Sequence, residues 1–367
     1  MAKTKMHALL DVGQSVWLDY LRRGMTRSGE LSSFIDDGLR GMTSNPTIFE
    51  QALASADYDD ELAELSSSPG TERDLFEVLA VEDVREAADV FRRVYNSSQG
   101  ADGFVSLEVS PSLARDTEGS VTEARRLWKA VDRPNVMIKI PGTREGWPAI
   151  ERCLREGINI NITLLFSLEH YKAVVEAYLR ALEARVERGQ PIDRLASVAS
   201  FFVSRVDTEV DKRIQKLGGP LHDLRGKVAI AGARLAYAMF LEITASERWR
   251  KLEAKGARNQ RLLWASTGTK NPEYSDVLYV ESLIGPDTVA TVPLETLRLF
   301  EDHGVISQTL NANTLSDARR VMEALAAGGI DFRDVNSTLE REGLEKFAKS
   351  FESLLGLIAQ KRRSLAR

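Results

Sequence analysis

The sequence predicts an α/β fold, a single (β/α)₈ barrel of the TIM type, and three observations predict it. Short apolar runs recur along the chain, each followed by a turn signal and then an amphipathic helical pattern. Eight such runs can be marked, the number that closes a parallel barrel. The 367 residues, 43% of them hydrophobic, suffice to bury one large core. A doubly wound open sheet is the competing architecture, since it uses the same alternation of strands and helices.

The runs, in order, are SVWLD (15–19), GMTSN (41–45), FVSLEV (104–109), NVMIKI (135–140), NINITLLF (159–166), LASVASFFV (195–203), RLLWAST (261–267) and TVATV (288–292). Helical patterns separate them, for example TEARRLWKAVD (122–132) and SLEHYKAVVEAYLRALEARVERG (167–189). Three extras stand outside the repeat: a polar helical stretch from 51 to about 69, a charged helical insertion over about 206–259, and a helical tail over about 313–367. The insertion carries the break GGP at 218–220 and reads as a peripheral packing element. All of it is expected to form one domain.

Composition excludes several function classes. A net charge of −5 argues against a general nucleic-acid or membrane-surface binder. One cysteine, Cys153, excludes an internal disulfide framework and a cysteine-rich metal site. Four scattered histidines, His7, His170, His222 and His303, make no ligand spacing, so no metal is expected. No phosphate-binding P-loop and no GxGxxG follows a strand. The N-terminal MAKTKMHALLDVG lacks the apolar stretch of a signal peptide. The apolar segment 228–245 is interrupted by Arg234 and Glu242 and reads as a buried helix rather than a membrane span. The expected address is the cytoplasm.

The strands themselves raise the chemical question. Side chains alternate across a strand. In NVMIKI, Val136, Ile138 and Ile140 share one face, while Asn135, Met137 and Lys139 share the other. In a barrel the second set points inward, with Lys139 near the strand's C-terminal end, where active sites of this fold lie. Ser106 and Glu108 oppose Val105, Leu107 and Val109. Ser15, Trp17 and Asp19 oppose Val16 and Leu18. Asn159, Asn161 and Thr163 oppose Ile158, Ile160, Ile162 and Leu164, and Asn45 ends its run before Pro46. Five consecutive strands thus aim Asp19, Asn45, Glu108, Lys139, Asn161 and Thr163 at one space. A lone charged residue in a strand is more often an edge or loop residue, and a buried Lys–Glu pair can be merely structural. It is the shared face and shared strand end that single out the set. Burying such groups unpaired costs several kcal/mol each, so one mutually satisfied network is expected.

A buried lysine loses its proton more readily than a solvated one, and the neutral amine is a nucleophile. It adds to a ketone and yields an iminium ion, an electron sink that lets the neighbouring C–C bond break. Each step moves a proton, and Asp19 and Glu108 are carboxylates placed to move it.

At these residues the chain resembles the transaldolase family, in its longer bacterial form. WLDYLRRG, GMTSNPTIF, VSLEVSP, MIKIPGTREGWPAI, EGININITLLFS, SFFVSRVD and WASTGTKNP occur in order over nearly the whole length. The resemblance implies a class I aldolase-type barrel whose fourth-strand lysine, here Lys139, forms a Schiff base with a ketose. It implies that Glu108, through a water held by Thr163, serves proton transfer in imine formation, and that Asp19 serves C–C cleavage. Asn45, Asn161 and Ser200 would position the dihydroxyacetone unit. Arg205 and Ser266 align with ligands of the sugar phosphate. Shorter family members carry a second arginine two residues after that serine; here Lys270 is read as the replacement cation.

The implied reaction passes a dihydroxyacetone unit from sedoheptulose 7-phosphate to glyceraldehyde 3-phosphate without cofactor or metal. Sugar phosphates are the implied partners, with no nucleic acid or membrane, and a homo-oligomer is compatible with the family. A sister group that only cleaves fructose 6-phosphate carries glutamine and tyrosine where this chain has Glu108 and Phe202. A non-catalytic sugar-phosphate binder would be expected to lose Lys139, Glu108 or Asp19.

Overall fold

A computed structural model describes residues 3–65 and 70–365. Eight parallel strands close on themselves: β1 (Gln14–Asp19), β2 (Gly41–Thr43), β3 (Phe104–Glu108), β4 (Val136–Pro141), β5 (Ile160–Leu165), β6 (Ser197–Phe202), β7 (Arg261–Ala265) and β8 (Thr288–Val292). β1 pairs with both β2 and β8, which excludes the open sheet. Every strand is followed by helix, so both faces of the sheet are buried, as parallel sheets require. The outward set Val136, Ile138 and Ile140 is fully buried against that helical layer.

The inward face carries Trp17, whose indole fills the lower barrel. Gly41 stands across from it, and a Cβ there would come within 2.6 Å of the indole ring. The small residue on β2 is therefore the partner of the large one on β1.

Two local departures from the expected strands bear on the site. β2 ends at Thr43, and Asn45 caps the next helix, Pro46–Leu53, by accepting from the Ile48 amide at 3.0 Å. Proline at the first helical turn suits that start. In β5 the register shifts between Ile162 and Leu165, and Leu164 adopts a left-handed φ of 59°. The strict alternation therefore breaks at Leu164, whose side chain lies against Gly343 at the mouth instead of sharing the outer face of Ile162.

Between β6 and β7 run the helices Ser204–Leu217, Val228–Thr244 and Glu247–Glu253. Val228–Thr244 buries Ala229, Ala233, Ala236 and Phe240 and packs against Ala312–Ala327 and β7. Among the described residues no single helix is long and apolar enough to cross a membrane. The 51–69 stretch forms the end of Pro46–Leu53, a turn at Ala56–Tyr58 and the helix Asp59–Leu65; its last four residues lie outside the described set.

The C-terminal helix, Phe332–Leu365, crosses the barrel end formed by the strand C-termini. It is pinned on one side where Thr47 and Ser350 share a hydrogen bond of 2.9 Å. On the other side Arg213 of the Ser204–Leu217 helix reaches Asp334 at 2.6 Å and Thr338 at 3.3 Å.

Candidate active site

The strand C-termini and the C-terminal helix enclose a cavity of about 250 Å³. Asp19, Asn45, Lys139, Asn161, Thr163, Ser200, Phe202, Arg205, Ser266 and Lys270 all line it. Of the residues singled out from the sequence only Glu108 does not line this space; it stands beside Lys139, its direct neighbour across the β3–β4 ladder, and lines an adjoining cavity with Asn45.

Lys139 sits at the centre. Its side chain is 6% exposed, and its Nζ lies 3.2 Å from Glu108 Oε2 and donates to the Ser44 carbonyl at 2.8 Å. The Glu108 contact is an ion pair by distance but is not aligned as a hydrogen bond, so neither Glu108 oxygen has a hydrogen-bond partner among the described residues. The Thr163 hydroxyl is also buried and unpartnered. This corrects the expectation of a mutually satisfied network. Unused acceptors and donors on buried groups cost stability, and sites that must bind a reacting molecule are where that cost is retained.

Part of the network is satisfied. The Thr43 hydroxyl donates to Asp19 Oδ1 at 2.8 Å and lies 2.7 Å from Thr291 Oγ1. Asn161 donates to Ser106 Oγ at 3.0 Å and accepts from Ser200 Oγ at 2.7 Å, which fixes its amide orientation. Burial pushes the Asp19 carboxyl above the ordinary carboxylate range, against the pull of Lys139 and the Thr43 hydrogen bond. Burial likewise raises Glu108; Lys139 opposes the shift and Asp19 adds to it. Asp19 keeps some exposure, but only into the cavity, so the surrounding protein sets its environment.

The outer part of the cavity is cationic. Arg205 stands in the first turn of Ser204–Leu217, its guanidinium over the Phe202 ring at 5.3 Å and the Phe347 ring at 5.7 Å. Among the described residues it makes no ion pair. Ser266 has a left-handed φ of 54°, and its hydroxyl lies 2.9 Å from that of Ser204. A non-glycine residue held in that region marks a constrained position. The Ser204–Leu217 amino terminus, two serine hydroxyls and Arg205 together suit an anionic group.

Sequence reasoning missed Thr43, Thr291, Lys346 and Phe347, all of which line the cavity. The alternation of strand residues could have found the two threonines, since Thr43 precedes Asn45 by two and Thr291 is the last but one residue of TVATV, near the strand's C-terminal end. No strand pattern could have placed Lys346 or Phe347. Among the described residues no group of three or more His, Cys, Asp or Glu side chains comes together as a metal site.

Comparison with known proteins agrees with the geometry. A family model described as transaldolase/fructose-6-phosphate aldolase matches residues 16–358. A transaldolase of Saccharopolyspora erythraea is 50% identical over 359 residues, covering 97% of each chain. A transaldolase of Thermobifida fusca is 50% identical over 358 residues, again covering 97% of each, and one of Acidothermus cellulolyticus is 49% identical over 350 residues. With a lysine-centred cavity in the mouth of its barrel and likeness of this extent, the chain belongs to the transaldolase/fructose-6-phosphate aldolase family.

Proposed function

We propose that this protein is a transaldolase, a transferase that passes a dihydroxyacetone unit from sedoheptulose 7-phosphate to glyceraldehyde 3-phosphate. The products are erythrose 4-phosphate and fructose 6-phosphate. The observation that carries the reading is Lys139, a buried primary amine at the mouth of the barrel, held between a carboxylate and a backbone carbonyl.

The Lys139 amine adds to the ketose carbonyl. The carbinolamine loses water and becomes an iminium ion. Glu108 is the carboxylate nearest the amine and moves protons in this phase; the unpartnered Thr163 hydroxyl is suited to hold the water that relays them. Asp19 takes the proton from the donor's fourth-carbon hydroxyl. The bond between the third and fourth carbons breaks, its electrons pass into the iminium, and the first aldehyde leaves. The resulting enamine attacks the second aldehyde, and Asp19 returns its proton to the new hydroxyl. Hydrolysis of the iminium frees the product and Lys139. Asn45, Asn161 and Ser200 position the three-carbon unit, while Arg205, Ser266 and Lys270 hold the phosphate. For transfer to outrun release, the enamine must be shielded from protonation by water, and the buried setting of Lys139 supports that.

Cleavage of fructose 6-phosphate without transfer is the second reading, because the matching family covers both activities. Glu108 and Phe202 favour the transferase, and so do relatives named transaldolase over nearly the full length. We read the chain as one domain acting in the cytoplasm, alone or as a homo-oligomer, on sugar phosphates, without cofactor or metal and without a nucleic-acid or membrane partner.

The test is borohydride trapping with fructose 6-phosphate followed by peptide mass mapping. A dihydroxyacetone-sized adduct on the peptide that holds Lys139 is expected. No adduct, in protein shown by calorimetry to bind the sugar phosphate, would favour a binding role and make Lys139 structural.

A further inference from the structure

Three cations converge on the outer wall of the mouth cavity from distant parts of the chain. Arg205 comes from the first turn after β6, Lys270 from the loop after β7, and Lys346 from the C-terminal helix. The charges feel one another: burial first, then Arg205 and Lys270, hold the Lys346 amine below the ordinary lysine range. Among the described residues none of the three makes an ion pair. Other cations of the same chain pair readily, as Lys361 does with Asp59 at 2.6 Å and Arg213 with Glu209 at 2.8 Å. Like charges gathered in a concave wall repel, and an anion binding among them removes that repulsion.

The position of Lys346 is built. Gly343, Lys346, Phe347 and Ser350 fall on one face of the helix by their spacing of three, four and seven. Gly343 lets the helix settle on the mouth, because a Cβ there would come 3.1 Å from Leu164 Cδ2 and 3.6 Å from Arg205 Nη1. Phe347, 3% exposed, packs over the Arg205 guanidinium, and Ser350 bonds Thr47. Lys346 itself is solvent-exposed, but a seated turn of helix carries it, with its flexible stem on the cavity rim and three donors to offer.

We propose that Lys346 is a third phosphate-binding cation of the substrate site, so that the C-terminal helix closes the phosphate end of the cavity and sets the preference for phosphorylated over unphosphorylated ketoses. The proposal rests on the transaldolase reading of the cavity. It also explains how a chain with Lys270 in place of a second arginine grips a phosphate: two point charges from different elements replace one bidentate fork.

The test uses the full-length protein with Lys346→Gln, Lys346→Arg and, as control, Lys349→Gln, an exposed neighbour on the same helix. Inorganic phosphate binding is measured by calorimetry, and kcat and KM are measured with fructose 6-phosphate and with unphosphorylated fructose, each with saturating unphosphorylated erythrose as the acceptor aldehyde. Loss of one charge-assisted contact predicts that Lys346→Gln weakens phosphate binding and raises the fructose 6-phosphate KM about tenfold, with kcat within about twofold. Activity on fructose is expected to stay unchanged, Lys346→Arg to restore most of the loss, and Lys349→Gln to behave as wild type. Phosphate affinity and KM within about twofold of wild type would overturn the proposal. So would an equal loss on both sugars that tracks a fall in melting temperature, which marks a purely structural role. If wild type turns over no sugar phosphate but Lys346→Gln still loses phosphate affinity, the transaldolase reading fails and the phosphate site stands. If turnover is normal and phosphate affinity is untouched, the reverse holds.

Discussion

Opposite ends of this barrel hold buried polar clusters of similar composition that are paired differently. At the N-terminal end, Asp102 accepts from Ser15 Oγ at 2.7 Å, from Trp17 Nε1 at 3.2 Å and from Arg261 Nη2 at 2.9 Å. Arg261 also reaches Ser15 Oγ and the Ala101 carbonyl, each at 2.8 Å. Donors and acceptors there are used on one another, and the cluster ties β1 and β7 to the turn before β3. At the C-terminal end, Glu108 lies against Lys139, but both of its oxygens and the Thr163 hydroxyl lack hydrogen-bond partners among the described residues. A carboxylate beside a cation is thus not by itself a sign of function. What separates the two clusters is the carboxylate: Asp102 accepts three hydrogen bonds and Glu108 none, while the amide oxygens of Gln14, Asn135 and Gln260 at the N-terminal end are also unpartnered among the described residues, so a leftover neutral acceptor alone does not mark the site.

The sharpest way to break the comparison is at the two charged pairs. Lys139→Ala should abolish turnover, by about 10⁴-fold or more, as expected for a covalent nucleophile. Lys139→Arg should do the same, because a guanidinium in that position is neither neutral nor nucleophilic. Near-normal steady-state rates in either variant would refute the Schiff-base assignment. Neither activity loss should come with unfolding, which a melting curve checks.

Asp19→Ala should slow C–C cleavage by about 10²- to 10⁴-fold, the usual contribution of a positioned acid–base group. Borohydride trapping with fructose 6-phosphate should still label Lys139. Loss of trapping would show that Asp19 serves imine formation and Glu108 bond cleavage, the reverse of the proposed division. At the floor the pattern inverts. Asp102→Ala leaves Arg261 partly buried without its carboxylate and should cost about 3 kcal/mol of stability. Rate per folded molecule, measured after correction for active sites, should stay within a few-fold of wild type. A large loss of rate in a well-folded Asp102 variant would mean that the floor is more than a clamp.

Acidity offers a finer test of the same contrast. Burial raises the Asp19 and Glu108 carboxyls, so they hold their protons to higher pH than in an unfolded chain. Their contribution to stability is complete below the unfolded carboxylate pKa and is lost as pH rises through the folded one. Two outcomes follow. The acid limb of kcat/KM should lie above the range of an ordinary carboxylate. Glu108→Gln should melt higher than wild type at neutral pH while losing activity, a trade between stability and function. An unchanged or lower melting temperature would indicate that the ion pair with Lys139 outweighs the burial of Glu108.

Much of this was legible in the sequence, and the limits have physical reasons. Alternation with period two is local, so it placed Lys139, Glu108, Asn161 and Asp19 on the inner face without any tertiary information. It failed at Leu164, where a register shift and a left-handed residue turn the side chain toward the C-terminal helix. It was also silent about Lys346 and Phe347. Helical periodicity tells which side of Phe332–Leu365 is apolar, but the object under that side is the barrel mouth, and only the packed chain reveals it. The floor cluster escaped notice for a related reason. Arg261 opens β7 and Asp102 sits in a turn, so neither interrupts an apolar run as Lys139 does.

The smallest expected effect concerns Phe202. Its ring lines the cavity, 8% exposed, with Arg205 over one side and the rings of Phe166 and Phe347 at 5.7 and 6.4 Å. An apolar ring offers no polar atom to the enamine or to water beside it. A phenol at the same place has a hydroxyl that can hold a water and pass it a proton. Protonation of the enamine carbon competes with attack on the acceptor aldehyde, and the winner decides between cleavage and transfer. Phe202→Tyr should therefore raise fructose 6-phosphate cleavage relative to transfer by several-fold, within the range of a poorly positioned general acid. Both rates are measured on one preparation, as dihydroxyacetone released and as erythrose 4-phosphate consumed. The added hydroxyl leaves the ring under Arg205, so KM for phosphorylated substrates should move little. A ratio equal to wild type would mean that the shielding lies elsewhere, with Phe166 and the C-terminal helix as the next apolar surfaces to open. A changed ratio with a large rise in KM would mean that the phenol displaced Arg205 and acted on the phosphate end instead.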